Sequence, residues 1–382
     1  MPFDDLRQWI AALDRAGELK RIQTEVDPIL EIAEITDRVS KMHMWGPNTT
    51  RVATGASPVP PSEARRNPPQ NPGGPALLFQ NIKGHPGSQL LINQFGSESR
   101  MKLALGVNSF DEFADRIKMF LDVKSPQGFL DKLKMLPLLT EAGKFFPKTV
   151  PTGPCKEVIK HDNFSLLDFP ILQCWPQDAG RFITLPCVTT RDPKTGKRNL
   201  GMYRLQVYDA TTTGAHWQRQ KVAAEHFRQT LRNAGSSSAE GVPSKPSVGL
   251  GGDFDSRSNR RSVDLMARTS GGQVLSDKNH PTGKLEVAVA IGTDPTVTFS
   301  AIVPAPPDVE EYLIAGFLRA APVELVKCET VDLEVPATSE IVLEGYVNLD
   351  ELRTEGPFGD HTGFYTMQDQ YPVFHVTCIT HR

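Results

Sequence analysis

The sequence predicts an α+β protein, with an α/β N-terminal domain over residues 1–150 and an antiparallel β barrel or sandwich over 151–382. Three observations carry that expectation. Apolar residues recur at helical spacing near the N-terminus, short β-favouring runs bounded by Gly, Pro or Asp crowd the second half, and two stretches of biased composition interrupt the pattern.

In chain order, Leu6, Trp9, Ile10 and Leu13 predict a first helix, with Asp4 and Asp5 at its positive N-terminal end and Gly17 as its stop. Ile29, Ile32, Ala33, Ile35 and Val39 predict a second. Residues 46–75, rich in proline and ending in Gly73-Gly74-Pro75, read as a flexible insert. A short apolar strand at 76–79 and a helix at 110–122 complete the first half. Beyond Pro151, residues 184–190, 203–208, 285–291, 297–303, 340–347 and 373–380 read as strands, and 309–319 as a helix. Residues 233–283, with Gly249-Leu250-Gly251-Gly252 and Gly271-Gly272, hold few large apolar side chains and read as a second flexible insert.

The composition narrows the function classes. With 39% apolar and 23% charged residues the chain has the makings of ordinary soluble cores. A net charge of −3 gives no polybasic field for nucleic acid or an anionic membrane. No apolar run approaches the roughly 20 residues of a transmembrane helix. The acidic start, Asp4-Asp5, lacks the basic-then-apolar order of a signal peptide. Five scattered cysteines without a CxxC pair fit reduced thiols in the cytoplasm better than a disulfide framework or zinc site.

Chemistry concentrates in four clusters. In Glu355-Gly356-Pro357-Phe358-Gly359-Asp360-His361-Thr362-Gly363, glycines and a proline force an unusual backbone path between two strands. Nearby carboxylates split their pKa values, so of Glu355 and Asp360 one can serve as an acid and the other as an ionised partner. A plain β connection with a turn-capping Asp fits the same pattern. In Asn199-Leu200-Gly201-Met202-Tyr203-Arg204-Leu205-Gln206, Gly201 permits a bend that turns Asn199 and Arg204 inward. An inward Arg clamps a carboxylate or phosphate; an Arg on a strand surface is the alternative. Gly214-Ala215-His216-Trp217-Gln218-Arg219-Gln220-Lys221 faces an anionic cofactor or is a solvated strand end. Pro304-Ala305-Pro306-Pro307-Asp308-Val309-Glu310-Glu311-Tyr312 has the acids that complement a helix dipole, so it is also a plain helix start.

The clusters at 199–206, 304–312 and 355–363 gain meaning beside three further runs. These are Glu324-Leu325-Val326-Lys327-Cys328, Asp332-Leu333-Glu334-Val335-Pro336-Ala337 and Glu340-Ile341-Val342-Leu343-Glu344-Gly345. In this order they resemble the successive motifs of the UbiD decarboxylases. The resemblance implies an α/β N-terminal domain, a central split β-barrel of the flavin-reductase kind, and a C-terminal domain expected to be missing from a chain that stops at Arg382. It implies non-oxidative decarboxylation, reversible as carboxylation, of an aromatic or α,β-unsaturated acid. Losing CO2 from an sp2 carbon leaves an unsupported carbanion, so a cofactor must act as electron sink. In the family that cofactor is prenylated FMN.

By resemblance, Arg204 pairs with Glu355 and Asp360 delivers the proton. Cofactor contacts fall on Met202, Tyr203, Arg204, His216, Trp217, Gln218, Gln220, Lys221, Val222 and Pro304. A divalent cation, Mn2+ or Mg2+, bridges the cofactor phosphate from Asn199 and Glu311, with K+ as a further ion. The family's third ligand is a histidine in W-x-x-H-(K/R)-G-G. Here that stretch reads Trp217-Gln218-Arg219-Gln220-Lys221-Val222-Ala223, so Gln220 stands in the histidine's place and Val222 and Ala223 crowd the expected glycines. His216 and His226 are substitutes for the ligand, or else surface histidines. The implied partners are a small carboxylic acid substrate, a flavin prenyltransferase and further copies of the chain. Two rivals stay open: a non-catalytic relative that keeps the fold, and a flavin oxidoreductase on a similar barrel.

Overall fold

The computed structural model describes residues 3–41, 73–121, 143–236, 283–305, 309–360 and 362–382. Most of both expected inserts, residues 46–72 and 237–282, lies outside the described residues, as do Pro306, Pro307, Asp308 and His361.

The first part is a small α/β layer. α1 (Leu6–Arg15) begins where the Asp5 carboxylate accepts the Gln8 backbone N–H, and it ends ahead of Gly17. β1 (Leu19–Ile22) runs parallel to β2 (Ala76–Phe79), and β3 (Leu90–Ile92) lies antiparallel to β2. Side chains alternate across β2. Ala76 packs with Trp9 and Leu13 of α1, and Leu77 and Phe79 pack with Ile32 of α2 (Glu31–Lys41). α3 (Glu98–Leu105) and α4 (Phe110–Leu121) follow. Arg100, fully buried, donates to Gly74 O at 2.7 Å, while Asn93 Nδ2 donates to Gly73 O and Pro75 O. Residues 73–75, expected in the first insert, are therefore anchored structure.

The second part is built on a nine-stranded sheet. Its order is β6 (Phe182–Ile183), β9 (Leu205–Val207), β10 (Thr212–Ala215), β17 (Asp369–His381), β14 (Ile341–Glu355), β11 (Lys284–Ile291), β7 (Cys187–Arg191) and β8 (Arg198–Met202), with β5 (Val158–Lys160) also pairing with β17. β8 and β9 lie near opposite ends of that order, yet only Tyr203 and Arg204 separate them. A connection that short spans about 10 Å, so the two ends must approach and the sheet curls into a half-barrel. Inside the curl, Val188, Leu205, Val287, Leu343 and Phe374 share one core with Ala223, Ala224 and Phe227 of α5 (Val222–Ser236). This helix, unforeseen in the sequence, takes residues 233–236 out of the expected second insert.

Residues 297–303, expected as a strand, are corrected. Asp294 accepts the backbone N–H of Thr296 and Val297, and Pro295 opens α6 (Pro295–Ser300). The expected helix is α7 (Glu311–Arg319). β4 (Lys148–Val150) runs parallel to β12 (Glu324–Lys327), which pairs antiparallel with β13 (Glu334–Pro336). Past β14, the chain forms a hairpin of β15 (Phe358–Gly359) and β16 (Tyr365–Thr366). All five cysteines are free thiols. Burial pushes Cys155 up to about 11 and Cys187 up to about 12, so neither is a thiolate near neutral pH. No helix among the described residues is long and apolar enough to cross a membrane.

Candidate active site

Two polar centres flank the crossing from β8 to β9. The first is an ion cluster around Glu355, at the end of β14 and fully buried. Arg204 grips it bidentately, Nε donating to Oε1 at 2.8 Å and Nη2 to Oε2 at 3.1 Å. His216 Nδ1 lies 3.0 Å from Oε2. Burial alone would push the Glu355 carboxyl up. The hydrogen bonds from His216 and Arg204 and their charge outweigh it, holding the group below the usual carboxylate range. The guanidinium lies 4.8 Å from the centre of the Phe358 ring. Gln206 ties the following turn down: its Oε1 accepts Gly356 N–H at 2.8 Å and its Nε2 donates to Ala179 O. Asp178 holds the hairpin through Gly359 N–H at 2.8 Å. Gly214 faces this cluster because a Cβ there would stand 2.4 Å from the Tyr208 hydroxyl and 3.2 Å from Glu355 Cγ.

The second centre joins β8, α5 and α7. Asn199 Nδ2 and Ala223 N–H both donate to the Tyr203 hydroxyl, at 3.4 and 3.5 Å. Tyr203 can fold back this way only over glycine, since a Cβ on Gly201 would lie 2.3 Å from that hydroxyl oxygen. Glu311 Oε2 accepts Leu200 N–H at 3.0 Å. Burial pushes the Glu311 carboxyl up, Leu200 N–H opposes it, and no cation pairs with Glu311 among the described residues. Its neighbour Glu310 is the one that takes Arg198, at 2.7 Å.

Of the expected site residues, the structure brings Arg204, Glu355 and His216 into one cluster and Asn199, Tyr203 and Glu311 into the other. Asp360 sits at the hairpin turn, its backbone N–H donating to Phe364 O at 3.0 Å, and is not a hydrogen-bond partner of Glu355. Met202 is half-buried and Trp217 is buried in the half-barrel core. Gln218, Gln220, Lys221, Val222 and Pro304 are exposed. The Gln220 amide donates to Gln218 Oε1 at 3.0 Å rather than reaching Asn199 or Glu311. Ala223 turns its methyl into the core.

His216 and His226, expected as substitute ligands or else surface histidines, are both buried, which corrects the surface alternative; His226 Nδ1 pairs with the Thr190 hydroxyl at 2.9 Å. Sequence reasoning missed the His216–Glu355 and Gln206–Gly356 contacts, which span 139 and 150 residues and leave no trace in local spacing. No three His, Cys, Asp or Glu side chains gather as a metal-ligand group among the described residues.

A curled antiparallel sheet with a buried Arg–Glu–His cluster and an adjacent amide–carboxylate pair at its seam defines a half-barrel class of α+β protein. The 3-octaprenyl-4-hydroxybenzoate carboxy-lyase Rift-related domain matches residues 148–253 and 257–382, and the corresponding N-terminal domain matches 10–54 and 64–117. The chain belongs to the UbiD family. It is 42% identical over 382 residues to an uncharacterised protein of Archaeoglobus fulgidus, covering all of this chain and 62% of that one. Among solved structures, an evolved dimeric form of the UbiD-class enzyme HmfF from Pelotomaculum thermopropionicum, in complex with prFMN, superposes with a TM-score of 0.69 at 26% identity. That match covers all of this chain and 65% of HmfF. The closed form of vanillic acid decarboxylase from Sedimentibacter hydroxybenzoicus shares the fold, with a TM-score of 0.69 at 24% identity over all of this chain and 63% of that one. The chain thus spans less than two thirds of the length of these relatives.

Proposed function

We propose that this chain carries the active half-barrel of a carboxy-lyase that removes CO2 from an aromatic or α,β-unsaturated carboxylic acid. The observation that carries the reading is the bidentate grip of Arg204 on the fully buried Glu355, beside the hairpin turn where Asp360 sits. Prenylated FMN, when bound, supplies the electron sink for the carbon that loses CO2. The protein's part is positional and protonic. Arg204, with Glu355 as its fixed counter-ion, orients the substrate carboxylate. Asp360 returns a proton to the product carbon.

The residues present fit such a cofactor and its cation. Glu311 is a buried carboxylate without a basic partner among the described residues, and Asn199 Oδ1 is a second hard oxygen donor, the kind a Mn2+ or Mg2+ ion takes. Arg219 and Lys221 lie just ahead of the N-terminal end of α5, where a phosphate is favoured. Tyr203 links that end to Asn199. We extend the reading to a split barrel of the flavin-reductase kind, a flavin prenyltransferase as cofactor source, K+ as an additional ion, homo-oligomeric assembly, and the cytoplasm, where five free thiols stay reduced.

A second reading, a relative that binds flavin without turnover, is favoured by one observation: Gln220 is exposed and bonded to Gln218, away from Asn199 and Glu311. One experiment separates the two. The chain is co-expressed with a flavin prenyltransferase, its spectrum recorded, and a panel of aromatic and acrylic acids assayed for CO2 release. Asp360→Asn is expected to keep the flavin and lose about 100-fold or more in turnover. Turnover of the Asn variant within a few-fold of the parent removes Asp360 from its role.

A further inference from the structure

His216 stands out because it completes the coordination of an anion that Arg204 already grips. Three donors meet the Glu355 carboxylate: Arg204 Nε on Oε1, and Arg204 Nη2 with His216 Nδ1 on Oε2, so both acceptor directions of Oε2 are in use. A carboxylate has no proton to donate, so the hydrogen between the two groups sits on Nδ1. The imidazole is itself held. Its backbone N–H donates to Arg204 O at 3.2 Å, and its ring lies 4.4 Å from that of Tyr371. Both side chains are buried, His216 at 7% and Glu355 at 0% exposure, so water cannot replace a donor that is lost. Among the described residues Arg204 Nη1 reaches only the Thr366 hydroxyl, at 3.4 Å. That leaves one N–H on each terminal nitrogen of the guanidinium for an acid ligand.

We infer that His216 is a positioning residue acting through Glu355: its Nδ1–H fixes the rotamer of the Glu355 carboxylate, which keeps the free edge of Arg204 aimed at the carboxylate of the substrate. With the imidazole gone, Oε2 loses its second donor and the carboxylate can swing about its last torsion, taking the guanidinium with it. The inference rests on the reading of Arg204 and Glu355 as the site of decarboxylation, and its test has one arm independent of that reading.

The independent arm is NMR of the full chain labelled with 15N-histidine, the His216 signals being identified by their loss in His216→Asn. The expected result is a ring protonated at Nδ1, changing tautomer balance in Glu355→Ala. An Nε2–H tautomer in the parent protein overturns the proposal whatever the activity. The kinetic arm uses the flavin-loaded protein with an acid it turns over. His216→Leu is expected to lower kcat about 10- to 100-fold, and His216→Asn, whose amide can still donate, to recover most of it. In a Glu355→Gln background the His216→Leu change is expected to cost little more. Independent, multiplying losses in that double variant, or a Leu variant at full kcat, overturn the proposal. If the parent turns over no acid, the decarboxylase reading fails and the NMR arm alone decides on His216.

Discussion

The two centres beside the β8–β9 crossing are built to opposite plans. Around Glu355 the buried charge meets its partners inside the protein: a guanidinium and an imidazole together place three donors on one carboxylate. Around Glu311 the protein stops short, burying a carboxylate that takes backbone N–H groups and, among the described residues, no cation. A satisfied cluster is rigid before any ligand arrives, whereas an unsatisfied carboxylate is stabilised by whatever brings positive charge to it. The difference sets a preorganised ion cluster beside an unsatisfied buried carboxylate, on either side of one short strand crossing.

The largest way to break this contrast is Arg204→Leu. It leaves a fully buried carboxylate with only His216, and the expected loss of stability is about 3–5 kcal/mol by urea unfolding, with activity abolished. A loss under about 1 kcal/mol would mean that water reaches Glu355 and the cluster is not closed. Glu311→Gln is expected to act in the opposite sense. A raised folded-state pKa penalises the ionised carboxylate at neutral pH, so the neutral amide should stabilise the metal-free protein by on the order of 1 kcal/mol. The same variant should lose the upward shift of unfolding temperature that Mn2+ gives the parent. A Mn2+ response that survives in the variant places the cation elsewhere.

The smallest effect is one of pH. Because the folded-state pKa of Glu355 is depressed, its contribution is fully present above the ordinary Glu value of about 4.3 and is lost as pH falls through the lower folded value. The stability difference between the parent and Glu355→Gln should therefore hold constant from pH 7 to 5 and shrink below about 4. A difference already gone at pH 5.5 would show that the carboxylate is not held ionised by its donors.

Elements with a strong local pattern were legible. The acids ahead of α1, the apolar run of β11 and the helix from Glu311 follow from local pattern alone. Residues 297–303 misled because Thr296, Val297 and Thr298 are β-branched, while the decisive signal was one residue pair upstream, the Asp294 cap and Pro295. α5 carries a legible pattern, since Ala223, Phe227 and Leu231 keep helical spacing along it, but its start lies inside a motif whose expected glycines are Val222 and Ala223 here. Within the site, Arg204 and Glu355 were reachable only because familiar motifs surround both. His216 was a candidate cofactor contact, but its contact with Glu355 was not legible, because that partner is chosen by how distant strands close on each other rather than by its neighbours.

That closure also sets the order in which the protein can become competent. Arg204 and His216 flank the β9–β10 hairpin and Glu355 ends β14, and the two are joined side by side only through β17, which pairs with β10 on one edge and β14 on the other. β17 comes later in sequence than all of them. During synthesis the hairpin and β14 leave the ribosome before the strand that unites them, so the ion cluster has no framework until β17 has emerged and docked. Until then a buried-to-be carboxylate and its donors stay in water, and the nascent chain is spared an unpaired charge in a half-made core.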